Sequence, residues 1–480
     1  MTTGSPRDGL PLLYQRLLEL DALTLEDANT LIRESIATLP DLELSLDDGR
    51  AARVLPPSSL DRVAGAVAAL VSDSRPLTLG RAVETLEKVQ SHLQKCYPGL
   101  EDLVPAGDVR RFEPLIGSLV LVGRTADPPS AIEAICSAAG AERIPFRSGR
   151  RALLGLQGTE IDVRVAAPDE YGTTLFLATG SHTHVRAVIG RRGLRGFVAR
   201  EQDLYAQAGL AWIPPELRHN TGEVEAARTG ALPALVDGRD IRGDLHMHTT
   251  YSDGQDTLET VVATSVSLGY QYIAITDHSE NASASRTVSR ELLLRQRDEI
   301  ARMRERYPQI AVLHGVEVDI LPNGHLDFPD EVLEGLDIVL ASLHDAARHD
   351  PATLTRRCLA AIQHPLVNVV THPSNQLVGR RNGYELDYPS IYAAAAETGT
   401  ALEVDGAPSH LDLDGEHARA AVQAGVTLTI DSDGHRARAL ARQMVFGVGT
   451  ARRGWVETRH VLNARPLDDV QRFVRAKRSR

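Results

Sequence analysis

The chain has 480 residues, 42% hydrophobic and 24% charged, which is the composition of a globular protein with more than one domain. Its net charge of −12 argues against non-specific coating of nucleic acid, and no apolar run reaches the roughly 18 residues of a membrane span. The first residues lack a signal-peptide pattern, and Cys96, Cys136 and Cys358 show no paired spacing. We therefore expect reduced thiols in a cytoplasmic protein without a membrane segment.

Helical patterns dominate the amino-terminal part of the chain. Apolar residues recur at three- and four-residue spacing in four runs, which are 11–20, 23–39, 58–73 and 78–96. Short β-type runs follow from Leu119 onward, with one helix predicted near 128–139, so the first half has an α+β pattern. Within it, residues 142–200 contain ten Arg against five Asp or Glu, a net-basic stretch in an acidic protein.

The second half of the chain differs from the first in its chemistry. Thirteen of the 17 histidines follow position 240. Residues 212–240 are rich in Pro, Gly and short polar runs, which predicts an extended linker and a boundary near Ile241. Beyond it, seven short apolar runs alternate with amphipathic helical stretches, as in parallel βαβ units. Seven units in about 200 residues predict a distorted TIM-like (βα)7 barrel, one unit short of the (βα)8 type.

Each of the seven predicted strands ends in residue types that bind metals. In chain order they are His246 and His248, Asp277 and His278, Glu317 and Asp319, His344, His372, Glu403 and Asp405, and Asp433 and His435. The carboxyl ends of the strands in a parallel barrel open on one face, so these side chains would converge on one pocket. In HMH and DGH the two candidates are two residues apart and point to the same side of a strand.

Imidazoles and carboxylates that converge in this way favour divalent transition metals. One His at a strand end is more often an ordinary polar residue than a ligand. Seven strands in sequence with such ends nevertheless indicate metal binding, and the candidates exceed what one tetrahedral ion can use. Two or three ions are expected, and such a cluster activates water for attack on a phosphate ester. The histidines outside this pattern are His314, His325, His349, His364, His410, His417 and His460.

These motifs, HxH…D, DH, GxE, H, H and DxH, resemble those of the PHP (polymerase and histidinol phosphatase) domain, a seven-stranded barrel. The nine metal ligands that the resemblance implies are His246, His248, Asp253, His278, Glu317, His344, His372, Asp433 and His435. It also implies a trinuclear centre bridged by Glu317, and we assign catalysis to Glu317, His344 and Asp433. The many imidazoles favour manganese or zinc, with iron(II) as an alternative, over magnesium alone.

The first half resembles the polymerase core of bacterial family X DNA polymerases, in which a PHP domain follows that core. Residues 106–123, AGDVRRFEPLIGSLVLVG, are similar to the family's AGSxRRxxxxxGDxDxLV, whose last two aspartates bind catalytic magnesium. Asp162 in TEIDVRV occupies the third carboxylate position, but Ser118 and Val120 stand where the two aspartates belong. Because nucleotidyl transfer needs these carboxylates to hold two magnesium ions, we expect a polymerase fold without polymerase activity.

The resemblance divides the chain into a truncated, mostly helical fingers-like remnant, a palm- and thumb-like domain, a linker and the PHP domain. Their predicted ranges are 1–105, 106–211, 212–240 and 241–480. Residues 172–196 resemble the segment that holds the incoming nucleotide and the template. Arg110, Arg111, Gly180 and Ser181 either still contact phosphate or are only structural, and the sequence leaves both interpretations open.

Two loops at the predicted mouth of the barrel depart from the PHP pattern. The family's HPTGRLL is HPSNQLVGRR here, so an arginine near the pocket has moved or gone. The family's NANPxRLDL is DGAPSHLDL, with Asp405 and His410 in place of Asn and Arg. The choice of substrate can therefore differ from that of the standard enzyme while the metal ligands stay intact.

The main hypothesis is a metal-dependent 3′–5′ exonuclease, or a broader DNA phosphodiesterase, that processes DNA ends in repair. Arginines of residues 142–200 would contact the phosphates of the strand. One alternative is a phosphomonoesterase for small metabolites, of the histidinol phosphatase kind, but the long polymerase-like half argues against it. Another is a non-catalytic DNA-binding scaffold, against which the complete ligand set argues. The expected partner is the 3′ end of DNA, and no obligate protein partner is implied.

Overall fold

The computed structural model describes residues 9–73, 76–138, 140–156, 158–190, 196–282, 284–344 and 348–479. The chain divides into two compact units, Met1–Leu232 and Pro233–Arg480. Residues 191–195, which belong to both the basic stretch and the predicted nucleotide-binding segment, lie outside the described residues. Among the helices of the described residues, none is both long and apolar enough to cross a membrane.

The first unit begins with helices, as the spacing of its apolar residues predicts. α1–α6 are Leu12–Glu19, Leu25–Arg33, Leu39–Asp47, Arg50–Val54, Pro57–Asp73 and Leu79–Cys96. The apolar faces of the first five pack into one core. The run 23–39 forms one helix, α2, which ends before Ser35 with its positive φ of 60°. α3 begins only at Leu39, where the hydroxyl of Thr38 caps it at the N–H of Asp41.

A five-stranded mixed sheet follows these helices. β1–β7 are Leu77–Thr78, Glu101–Pro105, Leu115–Ile116, Leu119–Arg124, Arg143–Arg147, Arg151–Leu156 and Thr159–Ala166. α7–α12 are Gly107–Arg110, Pro128–Ala138, Tyr171–Thr179, His182–Ile189, Glu201–Gln207 and Glu223–Thr229. The sheet order is β2-β4-β7-β6-β5, and β1 pairs separately with β3. The parallel pairing of β4 with β7 places Val120 directly beside Asp162, so two of the three polymerase carboxylate positions are neighbours.

The segment 212–240 differs from the extended linker that its composition predicts. Its ordered elements are Pro215–Leu217, Glu223–Thr229 and Gly238–Asp240. Arg218 is fully buried and forms an ion pair with Glu201, while the fully buried Glu223 pairs with His184 at 2.6 Å. These buried contacts fix most of the segment within the first unit, and the Pro- and Gly-rich composition gave no sign of them.

The second unit is a seven-stranded parallel barrel, which confirms the predicted (βα)7 architecture. β8–β14 are Gly243–Asp244, Tyr272–Ile275, Ala311–Asp319, Ile338–Ser342, Val369–Thr371, Ala401–Asp405 and Leu428–Asp431. They pair in chain order, so all their carboxyl ends open on one face. A β-bridge between Met247 and Gly434 closes the ring just beyond β8 and β14. Between the same two strands, the Asn463 side chain donates to the carbonyls of Gly243 and Ile430, where an eighth strand would otherwise pair.

Helices cover the outside of the barrel. α13–α20 are Leu258–Ser267, Arg290–Arg306, Asp330–Leu333, Pro351–Gln363, Tyr388–Thr398, Gly415–Gln423, Leu440–Arg453 and Leu467–Arg478. Five of them start at a side chain that accepts a backbone N–H of the first turn, and these caps are Thr257, Ser289, Asp350, Asp387 and Asp414. The core between helices and strands is mainly aliphatic, in agreement with an aromatic content of only 4%.

Candidate metal centre

All nine predicted ligands lie at the carboxyl ends of the barrel strands or in the loops that follow them. They fall into three groups whose potential ligand atoms are within 4.8 Å of one another. These groups are His246–His248–Asp433, Glu317–His344–His372, and His248–Asp253–His278–His435. The structure thus brings residues that are far apart in sequence into a single pocket.

The first group is buried at the closure of the barrel. His246 Nε2 lies 3.1 Å from His248 Nε2, and Asp433 Oδ1 lies 3.6 Å and 3.0 Å from these two nitrogens. Two imidazole nitrogens and a carboxylate oxygen that face one point form a donor set suited to a divalent transition metal.

Glu317 links the first group to the second. Its Oε2 is 3.4 Å from His246 Nε2, and its Oε1 is 3.0 Å from His372 Nε2. The two oxygens of one carboxylate therefore face two different groups. This geometry suits a carboxylate that bridges two ions, as the PHP resemblance implies, and His344 completes the second group.

The third group is built around the ring of His248. The rings of His278 and His435 both stack against it, with centroids 4.4 Å and 4.2 Å away. Asp253 Oδ1 lies 3.3–4.0 Å from one nitrogen of each of the three rings. Gly254 makes this turn possible, because a Cβ at that position would lie 2.5 Å from the backbone carbonyl of His248.

Two further carboxylates hold ligand rings in place. Glu403 Oε1 lies 2.7 Å from His246 Nδ1, and Asp319 Oδ1 lies 2.9 Å from His344 Nδ1. A carboxylate that accepts a hydrogen bond from the N–H of one ring nitrogen leaves the other nitrogen free to bind a metal. The sequence placed both carboxylates at strand ends without giving them this role. Glu403 lies two residues before Asp405, and Asp319 lies two residues after Glu317, so each shares the pocket face of its strand with that residue. This spacing is the sequence signal that could have identified them.

The pocket has the unsatisfied polar atoms that a metal site requires. Among the described residues, His248 Nδ1, Glu317 Oε2 and His372 Nδ1 are buried without a hydrogen-bond partner. Burial and the neighbouring charges of His435 and His278 lower the pKa of His248 to about 3, so this ring is a neutral donor at physiological pH. Burial would lower the pKa of His372 and His435 as well, but the neighbouring carboxylates raise it to about 9 and about 10, so a divalent ion such as Mn²⁺ or Zn²⁺ would bind these rings by displacing their protons.

The loops that carry the ligands are held in defined conformations. His372 and Asp433 have φ angles of 26° and 47°, which residues other than glycine rarely adopt. Asp277, a strand-end candidate that joins none of the potential metal groups of the described residues, accepts hydrogen bonds from Thr249 and Ser252. It therefore fixes the loop that follows the HMH motif.

The position of His410 corrects the strand-end pattern, which left this residue out. Its ring stacks on that of His372 with centroids 5.4 Å apart, and it forms a further potential metal group with Asp405 and Asp433. The loop after β13 turns back on itself, because backbone hydrogen bonds join Asp405 and Asp412 in both directions. This fold-back, which the strand-end pattern does not reveal, carries His410 into the pocket.

The three polymerase positions of the first unit do not form a comparable site. Ser118 precedes β4, and Val120 is buried in a small apolar cluster. Asp162 Oδ1 lies 2.8 Å from Arg151 Nε, and its Oδ2 lies 2.8 Å from Arg164 Nη2. Burial would raise the pKa of Asp162, but these two guanidinium groups lower it. Both oxygens of the remaining carboxylate are therefore bound to protein cations.

Arg110 and Arg111 are bound within the first unit as well. Arg110 forms a two-pronged ion pair with Glu201, with N–O distances of 2.9 Å and 2.8 Å. Arg111 donates to the carbonyl of Thr179 and to Asp108, both at 2.6 Å. These contacts favour the structural interpretation, since a phosphate would have to compete with them.

The other phosphate-binding candidates of the first unit also have partners. Ser181 caps α10 by accepting the N–H of His184, and a Cβ at Gly180 would lie 2.9 Å from a methyl group of Val185. Of the seven arginines in residues 142–200 that the structure describes, six form ion pairs, namely Arg143, Arg150, Arg151, Arg164, Arg186 and Arg200. The described part of the basic stretch is therefore largely paired with acidic neighbours.

The network around Glu201 predicts a pH-dependent stability. Burial would raise the pKa of Glu201, but hydrogen bonds and charges from Arg110 and Arg218 lower it to about 2. A lowered carboxyl pKa stabilises the fold above the unfolded value of about 4.3, and this contribution is lost as the pH falls through the folded value. We expect Glu201→Gln to reduce the free energy of unfolding by ~3 kcal/mol at neutral pH. Urea denaturation should show that this difference shrinks as the pH falls from 5 towards 2, and a constant difference would contradict the assignment.

The barrel and its ligand groups define a class of protein. The family model described as the PHP domain matches residues 244–399, which include seven of the nine ligands. The second unit is therefore a PHP domain, the class of metal-dependent phosphoesterases that the motifs resembled.

Comparison over the whole chain gives the family. The DNA polymerase/3′-5′ exonuclease PolX of Bacillus subtilis (strain 168) is 34% identical over 417 residues, which cover 83% of this chain and 72% of that protein. The chain belongs to this PolX family, which confirms the resemblance to bacterial family X polymerases with a PHP domain.

Two shorter matches concern the barrel. A probable phosphatase of Syntrophotalea carbinolica is 31% identical over 167 residues, which cover 34% of this chain and 64% of that protein. A structure of histidinol phosphate phosphatase from Lactococcus lactis, complexed with zinc, L-histidinol and phosphate, is 18% identical. It covers 45% of this chain and 95% of that chain, with a TM-score of 0.36.

Proposed function

We propose that this protein is a 3′–5′ exonuclease that processes DNA ends in repair, and that its polymerase-like unit no longer transfers nucleotides. One observation carries the proposal. The nine PHP ligands are complete and fall into three groups, whereas Asp162, the remaining polymerase carboxylate, is bound by two arginines. The Bacillus subtilis relative is named as both a DNA polymerase and a 3′-5′ exonuclease. This chain has all nine residues that the PHP resemblance implies for the exonuclease, but only one of the three carboxylates that the polymerase needs.

The PHP pocket supplies what hydrolysis of a phosphodiester needs. Two or three divalent ions, manganese or zinc with iron(II) as the alternative, would provide an activated water and neutralise charge on the phosphate. Glu403 and Asp319 hold the rings of His246 and His344 by their Nδ1 atoms. Burial of the pocket excludes bulk water and strengthens each electrostatic contact with a phosphate.

Some residues of the site would only hold the metal ions, and others would also take part in catalysis. Glu317, His344 and Asp433 are the proposed catalytic residues, since they belong to the two groups that Glu317 joins.

The free thiols Cys96, Cys136 and Cys358 support a reducing compartment, as expected for a cytoplasmic enzyme that acts on DNA.

A comparison of substrates tests the exonuclease. With Mn²⁺, purified protein should shorten 5′-labelled single-stranded DNA stepwise from its 3′ end, and Asp433→Ala should abolish this shortening because it removes a ligand of the first group. Histidinol phosphate, offered in parallel, should release little phosphate. Phosphate release from histidinol phosphate without any shortening of DNA would instead support a small-molecule phosphatase. Hydrolysis of neither substrate would favour a binding scaffold.

Primer extension tests the second part of the proposal. Neither the natural protein nor the Ser118→Asp, Val120→Asp double variant should extend a primer–template with nucleotides and Mg²⁺. The double variant restores two carboxylates, but Asp162 stays paired with Arg151 and Arg164. Extension by the natural protein would contradict the loss of polymerase activity. Extension by the double variant would show that the arginines release Asp162.

A further inference from the structure

Besides the three PHP groups and a set formed by His246, His372 and Glu403, the loop after β13 brings one more set of potential metal-binding atoms into the pocket. We infer that Asp405, His410 and Asp433 bind a further divalent cation, of the Mn²⁺ or Zn²⁺ type, beside the three PHP groups. The ligand atoms of these residues lie within 4.8 Å of one another. The inference rests on the proposed PHP centre, with which the new site shares Asp433.

Asp405 is oriented as a ligand by its own loop. Its side chain is fully buried, and its Oδ1 accepts a hydrogen bond of 2.6 Å from the N–H of Ala407. Its Oδ2 is also buried and has no hydrogen-bond partner among the described residues. A buried carboxylate oxygen without a partner is costly unless a cation or a donor reaches it. The fixed Oδ1 therefore leaves Oδ2 available for a cation.

His410 offers the second unpartnered atom. Its Nδ1 is buried without a hydrogen-bond partner among the described residues. The ring is held by stacking on His372, with an interplanar angle of 25°. The imidazole nitrogen and the carboxylate oxygen both lack partners in one corner of the pocket. Each can donate an electron pair to a metal ion, so together they suit such an ion.

Asp433 can serve the new site without leaving the first group. Its Oδ1 is the oxygen that faces His248, at 3.0 Å from Nε2. A carboxylate can bind two ions through its two oxygens, as Glu317 is placed to do. By contrast, the neighbouring carboxylate of Glu403 has both oxygens engaged, by His246 Nδ1 and by the N–H of His372. Like its neighbour Asp412, Asp405 has a buried oxygen without a partner, and of these two it is the one whose ligand atom lies within a potential metal group of the described residues.

The resemblance drawn in the sequence adds one argument. Asp405 and His410 stand where the resembled pattern, NANPxRLDL, has Asn and Arg. An arginine cannot bind a cation, and an amide is a weaker ligand than a carboxylate. The two replacements together create two strong ligands in one loop, and Asp433 completes a set of one nitrogen and two carboxylates, whose charge matches that of a divalent cation.

Metal counting tests the inference. The full-length protein, freed of metal and equilibrated by dialysis with Mn²⁺, should bind one ion more than the two or three of the PHP centre, which makes four when all three groups are filled, measured by elemental mass spectrometry. Asp405→Asn and His410→Gln should each bind one ion fewer than the natural protein. His325→Gln, the same substitution at an exposed histidine of the same unit, should bind as many ions as the natural protein. Asp405→Asn keeps the shape of the side chain, and thermal melting of each variant checks that it is folded.

The possible counts separate the inference from the proposed function. The same number of ions in the natural protein and in both variants, together with exonuclease activity, would overturn the additional site and leave the proposed function intact, because any extra ion would then lie elsewhere. Loss of more than one ion in both folded variants would contradict a separate site. Fewer than two ions in the natural protein would overturn both this site and the proposed metal centre.

Discussion

Glu317→Gln is expected to lower the rate of DNA hydrolysis by roughly 10³-fold or more, which is the upper range for removing one preorganised electrostatic contact. The substitution keeps the shape of the side chain but removes the charge whose two oxygens face His246 and His372. Two metal groups would lose their shared ligand at once. The measurement is the initial rate of shortening of 5′-labelled single-stranded DNA at saturating Mn²⁺, with the metal content determined on the same sample.

Glu385→Gln is the matched control for this prediction. Glu385 is exposed on the same unit, so the same chemical change should leave the rate unchanged. If the Glu317→Gln variant bound fewer ions but still hydrolysed DNA at the natural rate, this result would contradict the bridging role of Glu317 in catalysis. If both variants lost activity equally, the cause would lie in the preparation rather than in the bridge.

The barrel and the convergence of the candidate ligands were predictable from sequence because the relevant signals are local. Each strand is a short apolar run, and the ligand types follow its carboxyl end within a few residues, as in HMH before Asp253 and in DGH after β14. A parallel barrel then brings all such ends together without any further information. These local signals and the topology place the candidates in one pocket, and the resemblance to the PHP motifs then selects nine of them, leaving out strand-end residues such as Asp277 and Asp319.

The remaining features depend on contacts between distant residues. Asp162 is held by Arg151 and Arg164, and Arg151 also contacts Asp41, which is 110 positions away. No spacing rule connects such residues, so the sequence showed the missing aspartates but not the fate of the third carboxylate. His410 was missed for a related reason, because its approach to the pocket depends on how a loop folds back.

Removal of metal is expected to destabilise the second unit strongly. Each ion present at about 100 times its Kd stabilises the folded state by ~2.7 kcal/mol, so three ions give ~8 kcal/mol. For a unit of this size, a loss of that order corresponds to a fall in Tm of roughly 15 °C or more. Without metal, His246, His248 and His278 remain packed around Glu317, and the buried Glu317 Oε2 lacks a hydrogen-bond partner among the described residues. Calorimetry with and without EDTA, followed by addition of Mn²⁺, measures the effect.

Glu317→Gln separates metal binding from other effects of the chelator. This variant should melt at a lower temperature than the natural protein in Mn²⁺, and EDTA should lower its Tm by less, because its weakened sites hold less metal to remove. Excess Mn²⁺ should restore the natural protein but only partly restore the variant. An unchanged Tm of the natural protein after complete removal of metal would contradict this prediction, because an ion that binds the folded state tightly and the unfolded state weakly must stabilise the fold.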